Sequence, residues 1–159
     1  MIQSRLYLET SVVSYLIARP SRDVVVLAHQ QITRDFWEKR LGRFEVFISQ
    51  IVLEEASRGD RGAAKSRLDL ISPFPLLPVT LEVDRLAELY LREKVIPPVA
   101  IRDAYHIALA SVHEMDYLLT WNCRHIASGE VRRRLAELHR REDIFPLVIC
   151  TPEELAEDE

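Results

Sequence analysis

Short, almost wholly apolar runs alternate along the chain with longer stretches in which apolar residues recur every three or four positions. The short runs predict strands over 5–8, 44–48, 116–120 and 145–150, because a fully buried strand loses the polar alternation of a half-exposed one. The longer stretches predict helices. Val12, Val13, Leu16 and Ile17 mark one over 11–18, which Pro20 stops. A second covers 23–41, with Val24, Leu27, Ile32, Phe36 and Leu41 on its apolar side and Gly42 closing it. Ser49 caps a short helix over 50–57 that breaks at Gly59, and a further helix covers 61–71. Three prolines between 73 and 79 allow only an extended connector or an edge strand. Thr80 caps a helix over 81–94. Pro97 and Pro98 form a boundary before the next helix, over about 100–115. A loop over 121–128 leads to a helix over 129–141, whose inner face is Val131, Leu135 and Leu138. Thr151-Pro152-Glu153-Glu154 has the form of a capping box with proline at the first helical position.

Strands that alternate with helices imply an α/β fold, a three-layer α/β/α sandwich around a central parallel sheet. One domain is expected over 1–150 and an acidic tail over 151–159, disordered from Glu153 onward. In such sheets ligands bind beyond the carboxyl ends of the strands, which directs attention to the residues just after each strand.

Composition narrows the classes. Hydrophobic residues make up 48% and charged residues 29%, as in ordinary soluble domains. No apolar run approaches the roughly 20 residues of a membrane helix, and no signal peptide is visible, so a cytoplasmic protein is expected. The two cysteines, Cys123 and Cys150, belong to no CxxC pair and are expected to stay reduced and buried. A metal site joining Cys123, His125 and Cys150 has little support in their spacing. The net charge of -4 excludes a domain that grips nucleic acid with a basic surface all round. Four glycines leave little room for a phosphate-cradling loop, which disfavours an unrelated α/β phosphate-ester hydrolase.

Four positions carry candidate chemistry at the carboxyl edge. Glu9 ends the first strand beside a helix N-terminus, where an anion is stabilised. Glu54 or Glu55 follows the second. Each helical residue turns by about 100°, which puts Glu55 on the face of Ile51 and Val52 and swings Glu54 toward solvent, so Glu55 is favoured. An acid on a buried face is costly unless paired or metal-bound. Asp103 shares a face with Ile107, Ala110 and Ser111 at the start of its helix; His106, one turn on, is assigned a structural role. Asn122 leaves the strand over 116–120, with Thr10 and Thr120 adding hydroxyls nearby. Hard oxygen ligands without clustered Cys or His suit Mg²⁺ or Mn²⁺.

At these residues the sequence resembles the PIN-domain ribonucleases, and within them the VapC-like toxins of type II toxin–antitoxin pairs. The resemblance lies in Tyr7-Leu8-Glu9-Thr10-Ser11, in Ser49-Gln50-Ile51-Val52-Leu53-Glu54-Glu55, in Asp103-Ala104-Tyr105-His106-Ile107-Ala108-Leu109-Ala110 and in Tyr117-Leu118-Leu119-Thr120-Trp121-Asn122. It implies a parallel sheet flanked by helices, an RNA substrate, a cognate antitoxin and a homodimer. It implies that Glu9, Glu55 and Asp103 hold one or two Mg²⁺ or Mn²⁺ ions that activate water for hydrolysis, leaving a 5′-phosphate and a 3′-hydroxyl. Asn122 stands at the fourth acidic position, and with Thr10 or Thr120 it would orient water. The family pattern has Asp at the first and fourth positions; here Glu9 is one methylene longer and Asn122 carries no charge. These departures support a rival reading, a catalytically weakened PIN-like domain that binds RNA or a protein partner without cleaving.

The basic residues allow two readings. Arg132, Arg133, Arg134, Arg140 and Arg141 form either a solvated face or a stripe that tracks RNA phosphates. Arg19, Arg22, Arg58 and Arg102, nearer the proposed metal edge, are equally suited to phosphate contact.

Overall fold

The computed structural model describes residues 2–156. In chain order the elements are β1 (Arg5–Leu8), α1 (Thr10–Ile17), α2 (Val24–Lys39), β2 (Glu45–Ser49), α3 (Gln50–Ala56), α4 (Arg61–Ile71), β3 (Leu76–Leu77), α5 (Leu81–Arg92), α6 (Ile101–Val112), β4 (Tyr117–Leu119), α7 (Gly129–Arg141) and β5 (Val148–Cys150). Single 3-10 turns at Leu41–Arg43 and Pro98–Ala100 precede β2 and α6.

All five strands are parallel, in the order β3-β2-β1-β4-β5. β1 is central, and its Leu6, Tyr7 and Leu8 are fully buried. That explains why the run is apolar throughout rather than alternating. The chain steps outward from β1 to β2 and β3, then returns across β1 to lay down β4 and β5 on its other side. Right-handed crossovers in opposite directions place their helices on opposite faces of the sheet. The reversal falls between β1 and β4, where Leu8 pairs with Leu119, and in sheets of this kind such a point is where ligands bind. Glu9 and Thr120 are the first residues beyond those two strand ends.

The core is continuous across the sheet, taking Val12 and Val13 from α1, Phe36 from α2, Val52 from α3, Tyr90 from α5 and Ile107 from α6. Residues 73–79 supply the two-residue edge strand β3, as three prolines allow. No helix among the described residues is long and apolar enough to cross a membrane.

Five expectations need correction. In α2, Val24 and Leu27 are exposed at 78% and 44%, while the buried positions are Gln30, Thr33 and Phe36. Gln30 accepts from the Ser21 amide at 2.9 Å and donates to the Arg19 carbonyl at 3.0 Å, so a polar side chain is buried to satisfy loop backbone. Gly42 does not close α2: the helix ends at Lys39, and Leu41 turns into the core inside the 3-10 turn. Cys123 is exposed, and only Cys150 is buried. Residues 151–154 make no helix, only a turn, although the reciprocal capping bonds are present. The Thr151 amide donates to Glu154 Oε1 at 2.9 Å and the Glu154 amide donates to Thr151 Oγ1 at 3.3 Å. Arg132 grips Glu154 with two 2.9 Å hydrogen bonds, so the start of the acidic tail is docked rather than disordered. The tail's end, 157–159, lies outside the described residues.

Candidate metal centre

Glu9 is the N-cap of α1 and is 5% exposed. Its Oε2 accepts from the Ser11 amide at 2.7 Å, and its Oε1 accepts from the hydroxyls of Ser11 and Thr120, each at 2.6 Å. A helix start offers unpaired N–H groups, and a carboxylate one residue past the strand is in reach of them. Thr120 belongs to the exit of β4, so this side chain joins the ends of the two central strands. Ser11 Oγ also accepts from the Trp121 amide at 2.8 Å.

Glu55 comes from α3, which Ser49 caps at the end of β2. Its Oε1 accepts from Thr10 Oγ1 at 2.8 Å and stands 2.7 Å from His106 Nε2. Glu54, the neighbouring candidate, faces outward and meets Arg102 at 3.4 Å. Burial by itself would raise the Glu55 carboxyl. The hydrogen bond and charge of His106, the Thr10 hydroxyl and the Arg102 charge outweigh it and hold the group below the ordinary carboxylate value.

Asp103 lies in the first turn of α6, half-buried. Burial raises its carboxyl above the ordinary value, and the charge of Glu9 adds to this. The charges of His106 and His125 and a hydrogen bond from Asn122 oppose it. Asn122 Oδ1 accepts from the His125 amide at 3.0 Å and closes the first turn of the loop after β4.

His106, one turn beyond Asp103, is fully buried. Its Nδ1 is 2.6 Å from Tyr7 Oη, which is in turn 2.8 Å from Ser49 Oγ. Burial would depress the imidazole. The Glu55 hydrogen bond and the charges of Glu9, Glu55 and Asp103 reverse the sign and raise it above its ordinary value.

Glu9, Glu55 and His106 each offer one ligand atom, and these atoms lie within 4.8 Å of one another. Two hard carboxylates and an imidazole, with a third carboxylate close by, form a donor set that fits a divalent cation. The positions singled out from sequence thus fall into two linked groups: Glu9, Thr10, Thr120 and Glu55 in one, Asp103 and Asn122 in the other, with His106 between them. Sequence reading placed His106 in the core but not its partners, and it missed the supporting hydroxyls of Tyr7, Ser49 and Ser11. The available signal was the spacing of three between Asp103 and His106, which puts both on one helical face. A recess of about 490 Å³ lined by Leu135, Ile144, Leu147 and Ile149 contains none of these residues.

The arginines of α7 are mostly neutralised on its outer face. Arg133 pairs with Glu130 and Glu137, Arg134 with Glu130, and Arg141 with Glu93 and Glu142. Such pairing is what the solvated-face reading expects.

Among curated proteins no match to the chain is found. The family model for the PIN domain matches residues 6–125. That span opens in β1 and closes in the loop after Asn122, so it contains each acid placed at the sheet edge. PIN domains are typically metal-dependent nucleases that act on RNA or DNA. With three quarters of its length matched, a five-stranded parallel sheet of the expected kind and acids gathered at its carboxyl edge, the chain belongs to the PIN domain family.

Proposed function

We propose that the protein is a Mg²⁺- or Mn²⁺-dependent ribonuclease that hydrolyses RNA phosphodiester bonds, and that it acts in the cytoplasm as a VapC-like toxin restrained by a cognate antitoxin. A homodimer is part of the same reading. The observation that carries it is the meeting of Glu9, Glu55 and His106, with ligand atoms within 4.8 Å of one another, beside Asp103, whose charge acts on His106. Like charges are costly together in a half-buried place unless a cation accompanies them.

Glu9, Glu55 and Asp103 would hold the ion. A divalent ion so placed lowers the pKa of water and offsets charge on a phosphoryl group. The chain's own residues fix the carboxylates beforehand. Ser11 and Thr120 hold Glu9, and Thr10 and His106 hold Glu55. Arg102, with a side chain 40% exposed and a 3.4 Å contact to Glu54, is a cation suited to meet a substrate phosphate. One observation favours the non-cleaving rival: Asn122 adds no charge and its Oδ1 is already engaged.

Incubation with single-stranded RNA and Mn²⁺ tests the reading. Cleavage that leaves 5′-phosphates, stops with chelator and is lost in Asp103→Ala is the expected result. Intact RNA in the presence of bound Mn²⁺ would move the protein to the non-cleaving reading. Growth arrest on expression, absent for Asp103→Ala, tests the toxin assignment.

A further inference from the structure

We infer that His106 is itself a ligand, making this a mixed nitrogen–oxygen centre of Glu9, Glu55 and His106 that takes Mn²⁺ in preference to Mg²⁺. The inference rests on the metal-dependent reading above and adds to it the nature of the site. Its basis is geometric. His106 is the only nitrogen among the three ligand atoms that lie within 4.8 Å of one another, and it is fully buried. Its Nε2 faces the carboxylates, 2.7 Å from Glu55 Oε1, close to the spacing of neighbouring ligand atoms about 2 Å from one ion.

The far side of the ring is arranged as ligating histidines require. A metal-binding imidazole keeps its other N–H on a fixed acceptor, which sets both its tautomer and its orientation. Here Nδ1 lies 2.6 Å from Tyr7 Oη, and Tyr7 Oη lies 2.8 Å from Ser49 Oγ. With Nδ1–H donating to Tyr7 and Tyr7 O–H donating to Ser49, the far side of the ring is fixed, and Nε2, whose proton now bonds Glu55, is the atom that a cation would take in place of that proton. All three groups are buried, so water does not compete for these bonds. Asp103 stands outside the three-atom set, and His106 joins the carboxylates assigned above rather than replacing one of them. Mn²⁺ also favours oxygen, but as a transition ion it accepts an imidazole nitrogen more readily than Mg²⁺, which demands near-ideal octahedral oxygen ligands and keeps its own waters.

Mn²⁺-loaded protein in pulsed electron paramagnetic resonance tests this directly. Nitrogen modulation from a coordinated imidazole is expected in the wild type, changing frequency when the protein is ¹⁵N-labelled. It should persist in His125→Asn, since His125 also lies near Asp103, and disappear in His106→Gln. Calorimetry should show Mn²⁺ binding at least about tenfold tighter than Mg²⁺, with Tyr7→Phe lowering Mn²⁺ affinity about tenfold or more. Because a buried histidine variant can fail to fold, the labelled wild type carries the decision. Bound Mn²⁺ without nitrogen modulation overturns the inference and leaves an all-oxygen ribonuclease site standing. Modulation lost in His125→Asn, or equal affinity for the two ions, also overturns it. No binding of either ion removes this inference and the metal-dependent reading together.

Discussion

Thr120 and Glu9 lie at the ends of two neighbouring strands, and the threonine hydroxyl donates to the glutamate's Oε1 across 2.6 Å. The same hydroxyl accepts from the Asn122 amide at 2.9 Å, so it links β1, β4 and the loop that follows. Both groups are buried. Thr120→Val keeps the shape and removes the hydroxyl, leaving a buried carboxylate short of a donor. The expected cost is about 1–2 kcal/mol, or a melting temperature lowered by roughly 2–8 °C. Calorimetric melting of the two proteins measures it.

Asp103 should behave in the opposite way. Its carboxyl is raised chiefly by burial, so the folded protein holds this charge at a cost. A raised acid binds its proton more tightly folded than unfolded, and its effect on stability improves as pH falls through the folded value. Asp103→Asn removes the charge while keeping the shape. It is expected to melt no lower than the wild type at pH 7 while its Mn²⁺ affinity falls at least about tenfold. Melting and titration of one sample show both.

Two histidines set stability on opposite sides of their ordinary value of 6.5. His139 is lowered, chiefly by burial, against the pull of the Phe145 carbonyl. Its Nδ1 donates to that carbonyl at 3.0 Å, so Nε2 is the acceptor for Tyr90 Oη at 2.7 Å and the ring is neutral. Below pH 6.5 the unfolded chain takes a proton that the folded one refuses, and stability falls with pH. His106 is raised, so its contribution is whole below pH 6.5 and is lost as pH rises through the folded value. The histidine contribution to stability therefore peaks near pH 6.5. Urea unfolding across pH 5.5–8 should show His139→Gln flattening the acid side and His106→Gln the alkaline side.

At the C-terminal turn, the Arg132 hydrogen bonds hold the Glu154 carboxyl down to about 2. Stability from this pair is present above about pH 4.5 and is lost as pH falls toward 2. The Glu154 side chain is 45% exposed, so solvent screens the pair and Glu154→Gln should cost less than about 1 kcal/mol. Denaturant midpoints at pH 7 and pH 3 check the size and the sign.

For RNA, Arg102→Ala should weaken binding by about 1 kcal/mol or more and flatten its salt dependence, whereas Arg133→Ala should change little. Arg133 already serves Glu130 and Glu137. Filter binding at two salt concentrations separates them.

What the sequence disclosed follows from what periodicity encodes. Apolar strands and three-four spacing marked the sheet and most helices, and the helical turn angle separated Glu55 from Glu54. Periodicity assigns a face but not a partner. His106 was placed inside correctly, yet its bonds to Tyr7 and Glu55 depend on residues 99 and 51 positions away. Tyr7 read as one more apolar strand residue because its ring is buried whatever its hydroxyl does. In α2 the reading failed for the converse reason: Gln30 and Thr33 are buried by loop groups that no local pattern announces. The Asn122 orientation was likewise hidden, since its oxygen is taken by an amide three residues on.

The position of Glu9 at the cap of α1 bears on how such a protein decays. A copy released from selection for cleavage could lose Asp103 early, because its charge is held against burial. Glu9 would be retained much longer, since discarding it unmakes a helix start and loosens two strands. Among degenerate descendants the first acid should therefore outlast the third, and its presence alone is a poor sign that the chemistry survives.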